Sequence, residues 1–333
     1  VGAWAGRGDN GTFYGGYNTI MGAYAMNASA LAAAQKNVAI GYKALSGATT
    51  ASRNVVLGYE AMLSTTTGAD NIVIGHQALD SNNGNYNVII GNEAAQGATT
   101  MDSSTIIGRQ AAGGGVPTGD YNTAIGYQTL YQMGTGAESN TALGHRAGYN
   151  HTTGDDNTFI GANAGHGNTT ATLNVAVGKD ALKAAQDSST GGSNSILGAQ
   201  AGILTTGLRN TMAGFRSGYT STTADSNVFI GYEAGQKITT GDGNVAIGSK
   251  AGPSSTNTDS NSLYIANDSG DPLIGGTFPN TLISLNANTV VSGSIKPKTD
   301  NTYDLGTAVL RWNNVYLDDG FIEINADGAT TNL

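Results

Sequence analysis

Thr66-Thr67-Gly68-Ala69-Asp70-Asn71-Ile72-Val73-Ile74-Gly75-His76-Gln77-Ala78 contains the phrase that decides the fold: an Asn, three residues ending on an aliphatic, a Gly, two variable residues and an Ala. The phrase recurs along the chain. Its Gly falls at 22, 41, 58, 75, 91, 108, 126, 144, 161, 178, 198, 214, 231 and 248, so there are 14 copies spaced by 16 to 20 residues and most often 17. A truncated copy precedes them at Gly2-Ala3-Trp4-Ala5-Gly6. Self-similarity at a fixed short period is the mark of a stacked repeat architecture.

Each position of the unit has a physical reading. The residue three before the Gly is β-branched in every copy but Ser195, and the one just before it is Ile, Leu, Val or Met in every copy but Ala213. Residues two apart on a strand share a face, so these two are expected to be the inward pair of a short strand. The Gly that follows, as at Gly41, Gly58, Gly75, Gly126, Gly161 and Gly248, predicts a positive-φ turn or a close backbone approach. The next two residues are mixed polar and aromatic and read as a solvent-facing corner. Ala stands three after the Gly in 12 of 14 copies, for example Ala44, Ala61 and Ala78, which predicts tight packing against backbone. The leading Asn (Asn37, Asn54, Asn71, Asn122, Asn157, Asn244) is replaced only by Ser104. Because it recurs with the turn, it is read as a turn residue whose amide bonds backbone and stacks between coils, not as a glycosylation or ligand site.

One such coil buries too little apolar surface to offset its own ordering, so coils must stack. At the β spacing of ~4.8 Å, the stack would run roughly 65–70 Å. Large inward candidates are scarce: the stretch from Asn140 to Asp156 offers Leu143 and Tyr149 and little else. That scarcity suggests thin coils completed around a symmetry axis by identical chains. The expectation is an all-β β-roll or solenoid of about 14–15 coils over residues 1–252, intertwined as a homotrimer. A small β-rich domain is expected over 253–333, where four of the five prolines lie (Pro253, Pro272, Pro279, Pro297).

Composition bounds the chemistry. The chain has 333 residues with 50 Gly, no Cys, 12% charged residues and a net charge of −9. Disulfides and Cys-based metal sites or nucleophiles are excluded. An acidic chain with no basic stripe is a poor partner for nucleic acid. No run of 18 apolar residues suggests a membrane span, and no signal-type leader opens the sequence. A first residue other than Met is expected of a trimmed or processed piece.

Candidate sites were weighed against this frame. Gly6-Arg7-Gly8-Asp9-Asn10-Gly11 matches G-x-G-x-x-G but has no readable strand before it or helix after it. The Arg7-Gly8-Asp9 tripeptide within it is read as chance. His76, His145, His151 and His166 lack metal-ligand spacing. Asp155-Asp156 and Asp242 read as turn carboxylates, since no repeat supplies a full set of oxygen ligands for calcium. Glu60, Glu93, Asp180 and Glu233 occupy one equivalent position beside Lys43, Gln77, Gln110, Arg146 and Lys250. That is a solvated row of mixed sign, not the facing carboxylate pair of a glycosidase. Tyr42, Tyr59, Tyr127, Phe215 and Tyr232 share the exposed corner and are the candidates for contact with a glycan of a host surface. Trp312, between Leu310 and Val315, is expected to anchor the C-terminal core. No catalytic residue, metal or cofactor is expected. An ice-binding solenoid, suggested by the many Thr residues, is disfavoured because the Thr pairs sit mainly beside the turn Gly.

Asn122-Thr-Ala-Ile-Gly-Tyr-Gln-Thr and Asn244-Val-Ala-Ile-Gly-Ser-Lys-Ala resemble the β-roll repeats in heads of trimeric autotransporter adhesins, and more closely the Asn-Thr-Ala-Ile-Gly repeats of bacteriophage tail fibres. The resemblance covers residue 2 to about 252. Asp304-Leu-Gly-Thr-Ala-Val-Leu-Arg-Trp-Asn-Asn-Val-Tyr-Leu resembles a segment near the end of many phage tail fibres, where it often precedes a chaperone that trimerises the chain and is cut off. The resemblance implies a homotrimeric structural fibre of the virion tail, in contact with other tail proteins and a host-surface glycan. The alternative is the head of a bacterial trimeric adhesin at the cell surface.

Overall fold

The computed structural model describes residues 2–6, 16–28, 33–183 and 192–268, and the backbone of three further strands at 274–277, 323–326 and 329–332. Residues 7–11 of the Gly6–Gly11 motif, with its Arg7-Gly8-Asp9, the segment from Asp304 and Trp312 lie outside the described residues. The described chain is all β. Each repeat contributes one three-residue strand: β1 (Thr19–Met21), β2 (Val38–Ile40), β3 (Val55–Leu57), β4 (Ile72–Ile74), β5 (Val88–Ile90), β6 (Thr105–Ile107), β7 (Thr123–Ile125), β8 (Thr141–Leu143), β9 (Thr158–Ile160), β10 (Val175–Val177), β11 (Ser195–Leu197), β12 (Thr211–Ala213), β13 (Val228–Ile230) and β14 (Val245–Ile247). A four-residue β15 (Ser262–Ile265) continues them, and the order in the sheet is the order in the chain. All 15 pair parallel and in step, Val38 with Val55 with Ile72, and so on along a β-solenoid of about 14 turns. The parallel stack thus runs one strand past the expected boundary at 252. An antiparallel partner, β16 (Ile274–Thr277), follows β15. A second compact unit, 288–333, contains the hairpin of β17 (Glu323–Ala326) and β18 (Ala329–Asn332).

The expected inward pair is wrong by one residue. Val55 and Leu57 are 41% and 44% exposed, while Val56 between them is fully buried. The same pattern holds in β2 to β14, where the middle residue is buried and its two neighbours are not. The recurring aliphatics therefore point out of the coil, on the face opposite the buried middle residue.

The inward column is completed from two other places. Four residues after the Gly stands a buried side chain, such as Leu45, Met62, Leu79, Leu130 and Leu182. In most coils its size complements the strand's middle residue: Ala39 with Leu45, Val56 with Met62, Ala124 with Leu130 and Ala176 with Leu182, against Phe159 with Gly165, Met212 with Gly218 and Phe229 with Gly235; Ala142 with Gly148 and Ala246 with Gly252 are small at both places, and the space at Gly148 is filled by Leu130 and Phe159 of the adjoining coils. The third column, seven after the Gly, includes Ala48, Thr65, Met133, His151 and Ile238, all buried. A narrow coil filled this way closes on itself. The expectation that one chain lacks the core to do so is overturned, since small residues bring the walls together instead of leaving them unfilled. Both edges of β2 to β14 are taken by neighbours of the same chain.

The turn Gly is both things the sequence predicts. Each lies at positive φ, between 118° at Gly248 and 152° at Gly58, and each is stacked backbone to backbone on the Gly of the next coil, or for Gly248 on Ala266. Three further left-handed positions recur per coil: the residue before the Asn and those two and four after the Gly, as at Arg53, Glu60 and Met62. Here most copies are not Gly, so stacking over-determines a conformation that each residue alone disfavours.

The Asn column forms the expected amide ladder. The Asn140 side-chain oxygen accepts from both the backbone N–H and the Nδ2 of Asn157, each at 3.0 Å. Asn157 Nδ2 also donates to the Ala171 carbonyl at 2.9 Å, and its oxygen accepts the Asn174 N–H at 3.0 Å. The residue is buried, so replacing it leaves partners that water does not reach. Asn157→Ala is expected to cost about 2–4 kcal/mol in urea unfolding. Ser104 keeps the backbone bonds, accepting from Asn122 N–H and donating its own N–H to Asn87, but lacks the amide. Ser104→Asn is therefore expected to gain about 1 kcal/mol; an unchanged urea midpoint would mean the ladder contributes only shape.

Candidate functional site

The repeat turns each position into a column, so any site on the solenoid is a column or a group of adjacent columns. The corner rings stack on one another. Tyr42 and Tyr59 lie 5.1 Å apart with planes at 21°, and Tyr59 and His76 5.2 Å apart at 10°. Tyr127 stacks on His145 and Phe215 on Tyr232. A second stack, five after the Gly, runs Tyr131–Tyr149–His166 with Arg146 over Tyr149. The coil spacing accounts for this: rings on successive coils meet at near-stacking distance. Their faces are thereby occupied, and inside a stack only ring edges reach solvent. Sugar stacking of the expected kind needs a free ring face, which within these columns exists only where a stack ends, as at Tyr232.

The row two after the Gly is a chain of polar pairings. Glu60 accepts from Gln77 at 3.0 Å and faces Lys43 at 3.7 Å; Glu93 accepts from Gln110; Glu233 faces Arg216. For Asp180, burial pushes the carboxyl up, but the Asn163 amide and Lys183 outweigh it and hold the group below its ordinary range. Each acid has a neighbour on its own row, and none faces another carboxylate across a cleft. Asp155 and Asp242 accept backbone N–H groups of the preceding coil, from Glu138 at 2.9 Å and Asp225 at 2.7 Å. Among the described residues no three His, Asp or Glu side chains come together as metal ligands, and no helix is long and apolar enough to cross a membrane. Thr49, Thr152 and Thr239 donate their hydroxyls to carbonyls of the next coil.

A cavity of about 150 Å³ lies at the last coil, lined by Glu233, Gln236, Lys237, Lys250 and the 251–253 turn. It is below the ~300 Å³ at which small-molecule sites begin, and Lys237 spends its ammonium on the Ser254 carbonyl.

The histidines separate into surface and interior. His76, His145 and His166 belong to the ring stacks. His151 is fully buried in the third core column, edge-on to Phe159. Its Nε2 donates to the Gly154 carbonyl at 2.8 Å and Nδ1 lies 3.2 Å from the Asn168 carboxamide. A neutral ring that donates from Nε2 accepts at Nδ1, which assigns the Asn168 Nδ2 to that side and gives a partner to an otherwise unsatisfied buried amide nitrogen. Burial pushes the His151 imidazole below its ordinary range. The unfolded chain then binds a proton at a pH where the folded chain does not. Stability is complete above the unfolded value of about 6.5 and falls as the pH drops below it. His166, lowered by burial and by Lys183 and Arg146, adds in the same direction. The urea midpoint is expected to drop between pH 7.5 and 5.5, and by less in His151→Asn, an exchange that matches Asn82 and Asn168 of the same column. Equal slopes in variant and parent would refute the assignment.

One face of the sheet carries a surface feature that the inward reading of the aliphatic pair excludes. With the recurring aliphatics pointing outward, β1 to β15 carry two columns on one face, mostly Val, Ile, Leu, Met and Thr with Ser195 and Ala213 among them, and no charged residue stands in either. The alternation along a strand allows either the middle residue or its two neighbours to face inward, and pattern alone does not choose between them. The inverse size relation between the middle residue and the residue four after the Gly identifies the true core pair. No family model, curated protein or solved structure matches the chain.

Proposed function

We propose that this chain is a shaft segment of a homotrimeric bacteriophage tail fibre, acting mechanically and not as a catalyst. The observation that supports it best is the self-paired parallel solenoid, in which each coil repeats the bonds of the last. The amide ladder, the stacked turn glycines and the ring stacks all resist bending and shear along the same axis. The columns are engaged with their own neighbours and leave no ligand-sized cleft among the described residues, as suits a spacer that holds a receptor-reading end at a set distance from the virion. Its partners would then be identical chains and adjoining tail proteins, with attachment to the host surface made chiefly beyond these coils.

The test is immunogold electron microscopy with antibody against the purified chain, applied to virions of a phage encoding it and to their bacterial host. Label on the fibres and blocked adsorption are expected. Label confined to the bacterial surface would overturn the reading in favour of a cellular adhesin.

A further inference from the structure

We infer that the coil of β8, residues 140–156, is an acid-sensitive joint: on acidification it opens ahead of the other coils, so that the solenoid yields at one place and parts into two stacked blocks. The inference stands whether or not the shaft reading does. Core composition is the first ground. Every other coil from β2 to β13 places at least one Val, Ile, Leu, Met or Phe at the strand's middle or four after the Gly, as with Leu45, Ile89, Phe159 and Ile196. At β8 those places hold Ala142 and Gly148, and the third core place holds His151. The interior of this coil is borrowed, since Leu130 of the preceding coil and Phe159 of the following one fill the space in front of Gly148. A stack of repeats opens most readily where one unit contributes least.

The second ground is what stands in for the missing hydrocarbon. His151 is fully buried between Met133 and Asn168 of its column, with its ring edge-on to Phe159 at 5.8 Å. It fixes the turn of its own coil through the Gly154 carbonyl, 2.8 Å from Nε2, and ties that coil to the next through the Asn168 side chain, 3.2 Å from Nδ1. Asp155 is the carboxylate that acts on the ring, and it is engaged by the Glu138 N–H at 2.9 Å. A proton on His151 therefore puts a charge into the core of the coil least able to bear it.

The other histidines are gathered at the same place. Three of the chain's four, His145, His151 and His166, fall within residues 145–166. His145 stacks on Tyr127 of the preceding coil, and the Tyr131–Tyr149–His166 stack crosses this coil on its outer side. Lys183, Arg146, Asp180 and His145 are the charged and titratable groups around His166. A proton there adds to two cations against one carboxylate, so acid acts on the coil from inside and on its outer clasp to the next coil. An open coil takes up a proton at the ordinary His value of about 6.5, whereas burial holds the closed His151 below it. One pH unit beneath that value, opening is favoured about tenfold.

Hydrogen exchange read by mass spectrometry on the full 333-residue chain, at pH 7.5 and 5.5 and corrected for the intrinsic rate at each pH, tests this. Peptides within 140–156 are expected to be the least protected of the interior coils at pH 7.5. At pH 5.5 they are expected to lose about a further tenfold, while peptides spanning β3 to β5 hold. His151→Asn introduces a residue that the same column already buries at Asn82 and Asn168, so it is expected to fold and to lose most of the pH response. Equal protection along the stack at both pH values, or a loss shared evenly by all coils, overturns the joint, and that comparison needs no variant. A local loss as large in His151→Asn as in the parent also overturns it, because the coil would then be weak without being switched from its core.

Discussion

Gly161→Ala is expected to destabilise the solenoid by about 3–5 kcal/mol, although it adds one methyl group to a surface turn. Two costs combine. Gly161 sits at φ +127°, where a side chain is strained, and an added Cβ meets the carbonyl carbon and oxygen of Gly178 at 2.7 Å. The strain is about 1–3 kcal/mol and the overpacking adds a similar amount. The neighbour cannot yield alone, because Gly178 is itself packed on Gly198 and the Gly161 N–H is bonded to Leu143 O. Relief would require shifting a column of backbones. Gly16→Ala is the control: nothing lies within 4 Å of its added methyl, and its effect is expected within about 0.5 kcal/mol. Equal urea midpoints for the two variants would show that the turn column has slack, and the close-approach account would be wrong.

A second large effect comes from the core columns, and it is reversible by design. Phe159→Ala removes one of the two largest buried side chains and is expected to cost about 3–5 kcal/mol. Gly165→Leu alone is also expected to fail, since the Phe159 ring occupies the space in front of Gly165. Together the two changes reproduce the pairings of Ala39 with Leu45 and Ala176 with Leu182, including the left-handed backbone that Leu45 and Leu182 already adopt at φ 52° and 50°. The double variant is therefore expected to recover most of the loss, with a coupling of about 2 kcal/mol or more in a double-mutant cycle. The recovery is incomplete because the same ring also fills space beside Gly148 in the preceding coil. Additive costs would mean that the size relation along the chain is coincidence and not packing.

These two positions show where the sequence is a good guide. The turn Gly and the leading Asn are legible because backbone geometry admits few substitutes there. A Cβ has no room at Gly161, and no other side chain of its length carries both an amide donor and a carbonyl acceptor, as Asn157 does. The fold class follows from their recurrence. The inward pair is misread because β-branched and aliphatic residues normally mark a core face, and here they mark the outer one. Val55 and Leu57 satisfy the usual pattern while Val56 does the burying. The core is equally hard to see in advance, because its volume is divided among three places on the coil and one may be Gly, as at Gly165, when another is Phe. The ring stacks were legible as a corner but not as stacks, since only the coil rise shows that Tyr42 and Tyr59 cover each other.

The amide ladder makes each coil an interchangeable unit of length. Asn140 and Asn157 stand 17 residues apart and do the same thing one coil on. Removing residues 141–157 would join Asn140 to Thr158 with the column neighbours still of the right kind. The chain is therefore a ruler graduated in steps of ~4.8 Å. Gain or loss of one coil would lengthen or shorten the stack by one graduation without inventing a new contact.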